Sequence, residues 1–164
     1  MKRIFLLICV VALCVSLAGC SKSFSMEKPV NVYYSATSIK HDSPTGMLQA
    51  EKRDLQGWQD NLRGFLNEYL AGPISGKVAS PFPAKGSIIS LEETNNTIHI
   101  TLNSHFLVLT PSELMLSYAC LSKTLFELSD VEAVNLHIES TDTERSSITI
   151  TRDNIWLTDT ANFE

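Results

Sequence analysis

Two stretches of the chain carry apolar residues at helical spacing. Between Gly57 and Leu70, large apolar side chains recur every three or four residues, which predicts an amphipathic helix. Gly72-Pro73 follows and predicts its end, because Gly permits a left-handed residue and Pro cannot continue the backbone ladder. Thr110-Pro111-Ser112-Glu113 predicts a capping box at the start of a second helix that runs to Leu128.

Alternating or β-branched stretches predict the strands. Asn95-Asn96 predicts the tight turn of a hairpin, because Asn tolerates positive φ. The segment from Met47 to Leu55 alternates weakly and is expected at an edge or on a half-solvated face of a sheet. The predicted strands cover 30–34, 47–55, 88–94, 97–102, 134–138 and 148–150. The resulting order β-β-α-β-β-α-β-β predicts an α+β two-layer sandwich, with two amphipathic helices on one face of a mixed or antiparallel sheet.

The N-terminus has the pattern of an export signal. Lys2 and Arg3 precede an apolar run from Ile4 to Val15, which is shorter than the roughly 20 residues of a spanning helix. The ending Leu17-Ala18-Gly19-Cys20 resembles the bacterial lipobox. That resemblance implies cleavage before Cys20 and acylation of its thiol, so that acyl chains anchor the protein to a membrane. A plain signal peptide that happens to be cut near a cysteine is the alternative.

Charge and length narrow the class of protein. Removal of residues 1–19 would leave 145 residues, with 11 basic and 18 acidic side chains and a net charge of −7. We expect a lipidated tether over 20–29 and a single domain over 30–164. An acidic chain disfavours nucleic acid as a partner and broad electrostatic binding to anionic lipid.

No arrangement of residues in the sequence indicates catalysis or a cofactor. Cys120 lies in an apolar helical pattern and is expected to be buried rather than nucleophilic. Glu92 and Glu93 are neighbours in a predicted strand and point to opposite faces. His99 and His137 would share a face if their strands were adjacent, but ordinary surface histidines are favoured over a metal site. We therefore predict a protein that is not an enzyme and holds no metal.

Several motifs together resemble the GerM domain of sporulation and germination lipoproteins. The similarity runs over about residues 30–140, and its most specific parts are the helix end at Gly72-Pro73 and the loop before the hairpin. The matching stretches are Val32-Tyr33-Tyr34, Tyr69-Leu70-Ala71-Gly72-Pro73, Phe82-Pro83-Ala84-Lys85-Gly86-Ser87, 100–106, 124–128 and 131–138. The resemblance implies a non-catalytic domain that works in assemblies of the spore envelope.

We expect such a domain to act by protein contacts at the extracytoplasmic face of the cell membrane. The sheet face away from the helices is the predicted partner surface, and its edge strands could instead pair with another copy. Phe82 could be presented to a partner by its flanking prolines, although packing into the core is favoured. The predicted contact residues are Phe82, Thr97, His99, Thr101, Asn135 and His137. A lipoprotein that binds cell wall or a solute is the alternative.

Overall fold

The computed structural model describes residues 29–37, 47–58, 61–140 and 147–155. This part of the chain forms seven strands: β1 (Val30–Ala36), β2 (Leu48–Arg53), β3 (Val78–Ala79), β4 (Ile88–Thr94), β5 (Thr97–Leu102), β6 (Ala133–Ile138) and β7 (Ser147–Thr151). It also forms two α-helices, α1 (Leu62–Leu70) and α2 (Pro111–Leu128), and two 3-10 helices, Ser104–Val108 and Arg152–Asn154. The predicted α+β class is confirmed.

The strands divide into two sheets, whereas the sequence pattern predicted one. The first sheet has the order β2-β1-β3 and the second has the order β4-β5-β6-β7. Helix α2 contacts both β1 of the first sheet and β6 of the second. Six consecutive residues of this helix, 117–122, are buried, so the helix is covered on all sides there. A helix buried all round needs partners on more than one side, which one sheet face cannot supply.

The four-stranded sheet is mixed. β5 pairs with β6 in parallel, and α2 lies in the connection between them. The pairs β4–β5 and β6–β7 are antiparallel. Asn95 and Asn96 have φ of 51° and 60°, which confirms the predicted hairpin turn between β4 and β5.

The helix boundaries follow from their caps. Asn61 accepts a hydrogen bond from the amide of Gly64 and starts α1, five residues later than the pattern predicted. Gly72 has φ of 128° and confirms the predicted helix end. At α2, the Thr110 amide donates to Glu113 Oε2 at 2.8 Å and the Thr110 hydroxyl accepts from the Glu113 amide, which confirms the capping box.

Strand β2 lies at an edge, as predicted, but two of its three charged residues point inward, whereas Lys52 is exposed. Glu51 and Arg53 are 9% and 7% exposed and form an ion pair with Nε and Oε1 2.8 Å apart. Arg53 also donates to the Tyr34 hydroxyl and to the Gly72 carbonyl. The Glu51 carboxylate accepts from the amides of Ile74 and Ser75. The pair therefore joins β2 to the loop that follows α1.

Candidate functional site

One face of the four-stranded sheet is polar and accessible across all four strands. We call this surface the outer face. It consists of Ser90, Glu92, Thr94, Thr97, His99, Thr101, Ala133, Asn135, His137, Ser147, Thr149 and Thr151. Each of these residues is exposed or half-buried. Eleven of the twelve side chains are polar, and Lys and Arg are absent from the set.

The outer face exists because the strands alternate. In β5, Ile98, Ile100 and Leu102 are almost completely buried against the helices. The residues between them must then point to the opposite side of the sheet. The same alternation in β6 buries Val134 and Leu136, so the polar residues of the two strands lie side by side.

The structure brings together five of the six predicted contact residues. Thr97 lies opposite Ala133, His99 opposite Asn135, and Thr101 opposite His137. His99 is exposed and also lies opposite Glu92 of β4, whereas His137 is half-buried and lies opposite Ser147 of β7. The two histidines share the face but occupy different rows of the sheet.

Asn135 is held in place by its neighbours on β7. Its Nδ2 donates to Thr149 Oγ1 at 2.8 Å and lies 3.3 Å from Ser147 Oγ. Cross-strand hydrogen bonds of this kind fix side-chain rotamers before any partner arrives, which lowers the entropy cost of binding. These contacts order Asn135, Ser147 and Thr149 on the outer face.

Phe82 does not belong to this surface: the structure places it in the core, as the favoured interpretation of its loop expected, and corrects its inclusion among the possible contact residues. Its side chain is only 8% exposed and packs edge-on against Tyr69, with ring centroids 5.0 Å apart. Tyr34 completes the aromatic cluster, 6.2 Å from Phe82. The loop carrying Phe82 is held by the Ser117 hydroxyl, which donates to the Pro81 carbonyl. The physical reason is the large apolar area of Phe82, which gains more from burial than from exposure.

The chemistry available in the described residues is limited. They contain no group of three His, Cys, Asp or Glu side chains placed to hold a metal ion. Cys120 is completely buried, and burial raises the pKa of its thiol well above the usual range. Such a thiol stays protonated and out of contact with solvent at neutral pH.

The predicted export and anchoring residues, Leu17, Ala18, Gly19 and Cys20, lie outside the described residues, as does nearly all of the tether. Within the part of the chain that the structure describes, neither helix combines the length and apolar character needed to cross a membrane.

Seven of the twelve outer-face residues were missed from the sequence, among them Ala133 of β6. Ser90, Glu92 and Thr94 belong to it through β4, and Ser147, Thr149 and Thr151 through β7. The signal was present in the alternation of Thr149 and Thr151 with Ile148 and Ile150.

The fold is a small α+β domain with one polar, accessible sheet face. The family model described as sporulation and spore germination, named Germane, matches residues 31–144. The match covers more than half of the chain, so the chain belongs to this family. No curated protein matches the sequence.

The solved structures that resemble the fold include the following two. One is the tandem GerMN domains of the sporulation protein GerM from Bacillus subtilis, with a TM-score of 0.55 and 17% sequence identity. The likeness covers 82% of this chain and 47% of that one, so the chain spans about half the length of the tandem structure. The other is a candidate lipoprotein from Clostridium perfringens, with a TM-score of 0.50 and 14% identity, covering 82% of this chain and 94% of that one. At sequence identities of 17% and 14%, the similarity shows a shared fold and nothing further.

Proposed function

We propose that this protein is a non-catalytic lipoprotein that acts in spore or envelope assembly through protein contacts made by the outer face. The observation that carries the proposal is that face itself, a continuous polar surface on the side of the sheet opposite the buried core. A domain whose accessible polar groups are spread over a sheet, rather than gathered in a cleft, is suited to recognising another protein surface.

The charge of the outer face favours protein over lipid or nucleic acid. Glu92 is its single carboxylate, and none of its twelve positions carries Lys or Arg. Contacts with phosphate groups rely on clustered basic side chains, which this face lacks. Threonine, serine, asparagine and histidine can each donate and accept hydrogen bonds, so the face can match the backbone and side chains of a partner.

Contact through the face is favoured over strand pairing along the β4 edge. Arg63 donates from Nη1 to the Ile89 carbonyl at 2.9 Å, which occupies one of the backbone groups of that edge. A register shift between Ile88 and Ser90 further disturbs the ladder there. Bulges and covering side chains are features that prevent an edge strand from pairing with another chain.

In this proposal the acylated Cys20 fixes the domain to the outer leaflet of the cell membrane. The segment 20–29 separates that cysteine from Val30 at the start of β1. Ten extended residues reach at most about 35 Å. The outer face therefore works close to the bilayer, where envelope proteins of the same membrane are its nearest partners.

A cell-wall- or solute-binding lipoprotein is the alternative. Two grooves bordered by described residues hold about 170 and 210 Å³. Pockets for drug-sized ligands usually start at about 300 Å³. Neither of these two grooves reaches that size.

Site-specific photo-crosslinking in native membranes tests the proposal. A photoreactive residue at His99 samples the outer face, and the same residue at Glu68, an exposed position of α1, is the matched control. We expect defined adducts with one or a few envelope proteins from position 99, absent from position 68 and lost when Asn135→Lys is added. Equal adduct patterns at both positions, or none at position 99, would contradict the role of the outer face.

A further inference from the structure

A small cleft with charged walls lies near the C-terminal end of helix α2, where the 3-10 turn Arg152–Asn154 meets the helix. We call it the α2 cleft. Its volume is about 170 Å³, and it is lined by Lys123, Phe126, Glu127, Arg152 and Ile155. Two of these side chains are cationic and one is a carboxylate, so the lining carries a net charge of +1. A positive lining attracts an anionic group.

Arg152 is fixed in place by backbone carbonyls and an aromatic ring. Its Nε donates to the Val131 carbonyl, and its Nη2 donates to the carbonyls of Phe126 and Ser129. The guanidinium also lies over the Phe126 ring, 4.9 Å from its centroid. Among the described residues, none accepts a hydrogen bond from Nη1. The held guanidinium therefore keeps the N–H donors of Nη1 for a ligand.

Tyr33 of β1 positions the other two charged side chains of the cleft. The Lys123 ammonium lies over its ring, 4.9 Å from the centroid, and its hydroxyl donates to Glu127 Oε1 at 3.0 Å. Burial of Tyr33, together with the hydrogen bond to Glu127, raises the pKa of the hydroxyl to about 12, so it remains a donor at neutral pH. Lys123 makes no hydrogen bond to a described residue, so its ammonium donors are available.

We propose that the α2 cleft binds a carboxylate group, with Lys123 and Arg152 as the hydrogen-bond donors. Hydrogen bonds between cationic donors and carboxylate oxygens are stronger than neutral ones. Glu127 selects the anion, because a carboxylate balances the net charge of +1, whereas doubly charged phosphate exceeds it and is repelled by Glu127. A cleft of about 170 Å³ holds one functional group rather than a drug-sized ligand. Acidic side chains of a polypeptide and small free acids both carry this group.

The α2 cleft is a site separate from the outer face. None of its five lining residues belongs to the twelve positions of that face. A failure of the photo-crosslinking test at His99 would therefore leave this proposal standing, and a failure of the binding test below would leave the proposed function standing.

Backbone amide NMR signals of the full chain in non-ionic detergent measure binding at the cleft. The probe is an N-acetylated Gly-Glu-Gly amide, whose single charge is a carboxylate, and the matched peptide carries Gln in place of Glu. With the Glu peptide we expect saturable shifts of the amides of Lys123, Glu127 and Arg152, and several-fold weaker binding of the Gln peptide. The absence of saturable shifts, or equal binding of the two peptides, would overturn the proposal.

Charge substitutions locate the bound carboxylate. Lys123→Gln removes one of the two cationic donors and should weaken binding of the Glu peptide several-fold. Lys85→Gln is the matched control, because Lys85 is an exposed lysine that does not line the cleft. If both substitutions weaken binding equally, or if Lys123→Gln leaves it unchanged while the protein remains folded, the carboxylate does not bind in the α2 cleft.

Inorganic phosphate and sodium acetate identify the anion and its source. The parent should bind phosphate several-fold more weakly than the Glu peptide, and Glu127→Gln should narrow this difference because it removes the repelling charge. Phosphate that binds the parent as tightly as the peptide would overturn the assignment of a carboxylate. Acetate that binds as tightly as the peptide would support a free small acid as the ligand, whereas tighter binding of the peptide would support an acidic side chain of a polypeptide.

Discussion

The hydroxyl of Thr124 in α2 accepts a hydrogen bond from the backbone amide of Tyr33 in β1, 2.9 Å away. Strand β3 pairs only with Ser35 and Ala36 at the end of β1, so the helix supplies the partner that a neighbouring strand would otherwise provide for Tyr33. The Tyr69 hydroxyl of α1 donates a hydrogen bond to the backbone carbonyl of Tyr33. Both helices therefore bind the backbone of β1, which holds the first sheet to the rest of the fold.

We expect Thr124→Val to destabilise the protein by about 1–3 kcal/mol, the usual cost of leaving a buried amide without its partner. Valine keeps the shape of the side chain and replaces the hydroxyl with a methyl group, which also removes the hydrogen bond from Thr124 Oγ1 to the Cys120 carbonyl. Ser122→Ala is the matched control, since Ser122 is completely buried on the same helix and its hydroxyl has no hydrogen-bond partner among the described residues. Urea unfolding measures the free energy of unfolding of both variants. A larger loss of stability in the alanine variant would contradict the assigned role of Thr124.

Glu51 makes the stability of the fold sensitive to acid. Burial of the side chain raises the pKa of its carboxyl, but hydrogen bonds from Ser75, Ile74 and Arg53 outweigh this effect and lower the pKa from 4.5 to about 2. The folded protein therefore binds this proton less tightly than the unfolded chain does. The stabilising contribution of Glu51 is complete above about pH 4.5 and is lost as the pH falls towards 2.

Glu51→Gln should lower the free energy of unfolding at pH 7 by about 3 kcal/mol, because Arg53 loses its charged partner in a buried site. The difference between parent and variant should shrink as the pH falls from 4.5 to 2. Glu68→Gln, at an exposed position of α1, serves as the control. Thermal unfolding over this pH range provides the measurement, and a difference that does not depend on pH would show that Glu51 acts through packing alone.

Gly72 is required by the backbone at the end of α1. Its φ of 128° lies in a region that residues with a Cβ rarely adopt, although no atom lies within 4 Å of the position that a Cβ would occupy. Gly72→Ala should therefore cost about 1–3 kcal/mol through backbone strain. Gly76→Ala is the comparison, because Gly76 has equally open surroundings without a positive φ. Equal urea midpoints for the two variants would remove the strain explanation.

Cys20→Ala should release the protein from membranes, because the proposed acyl chains would have no thiol to attach to. Cys14→Ala, which also lies in the N-terminal segment, should leave the protein in the membrane fraction. Carbonate washing of membranes followed by immunoblotting distinguishes the two variants. Retention of the Cys20→Ala variant in the washed pellet would argue against a lipid anchor.

The elements that local patterns encode could be predicted from the sequence. The capping box at Thr110 and Glu113, the Gly72 helix end and the Asn95-Asn96 turn each depend on a few adjacent residues, and all three are confirmed. The alternation of apolar and polar residues was also enough to predict which residues of β5 and β6 point away from the core. Local backbone geometry and the period of side chains along a strand are contained in short stretches of chain, so these features need no knowledge of distant contacts.

The tertiary structure decided how those elements meet. The division into two sheets depends on α2 being buried between them, and the inward direction of Glu51 and Arg53 depends on the loop after α1 offering the amides of Ile74 and Ser75. Phe82 was placed in the core by its contacts with Tyr34 and Tyr69. The sequence by itself determined the secondary-structure elements and the polar side of the central strands. The sheet order and the extent of the outer face were determined by burial, because burial depends on contacts between residues far apart in the chain.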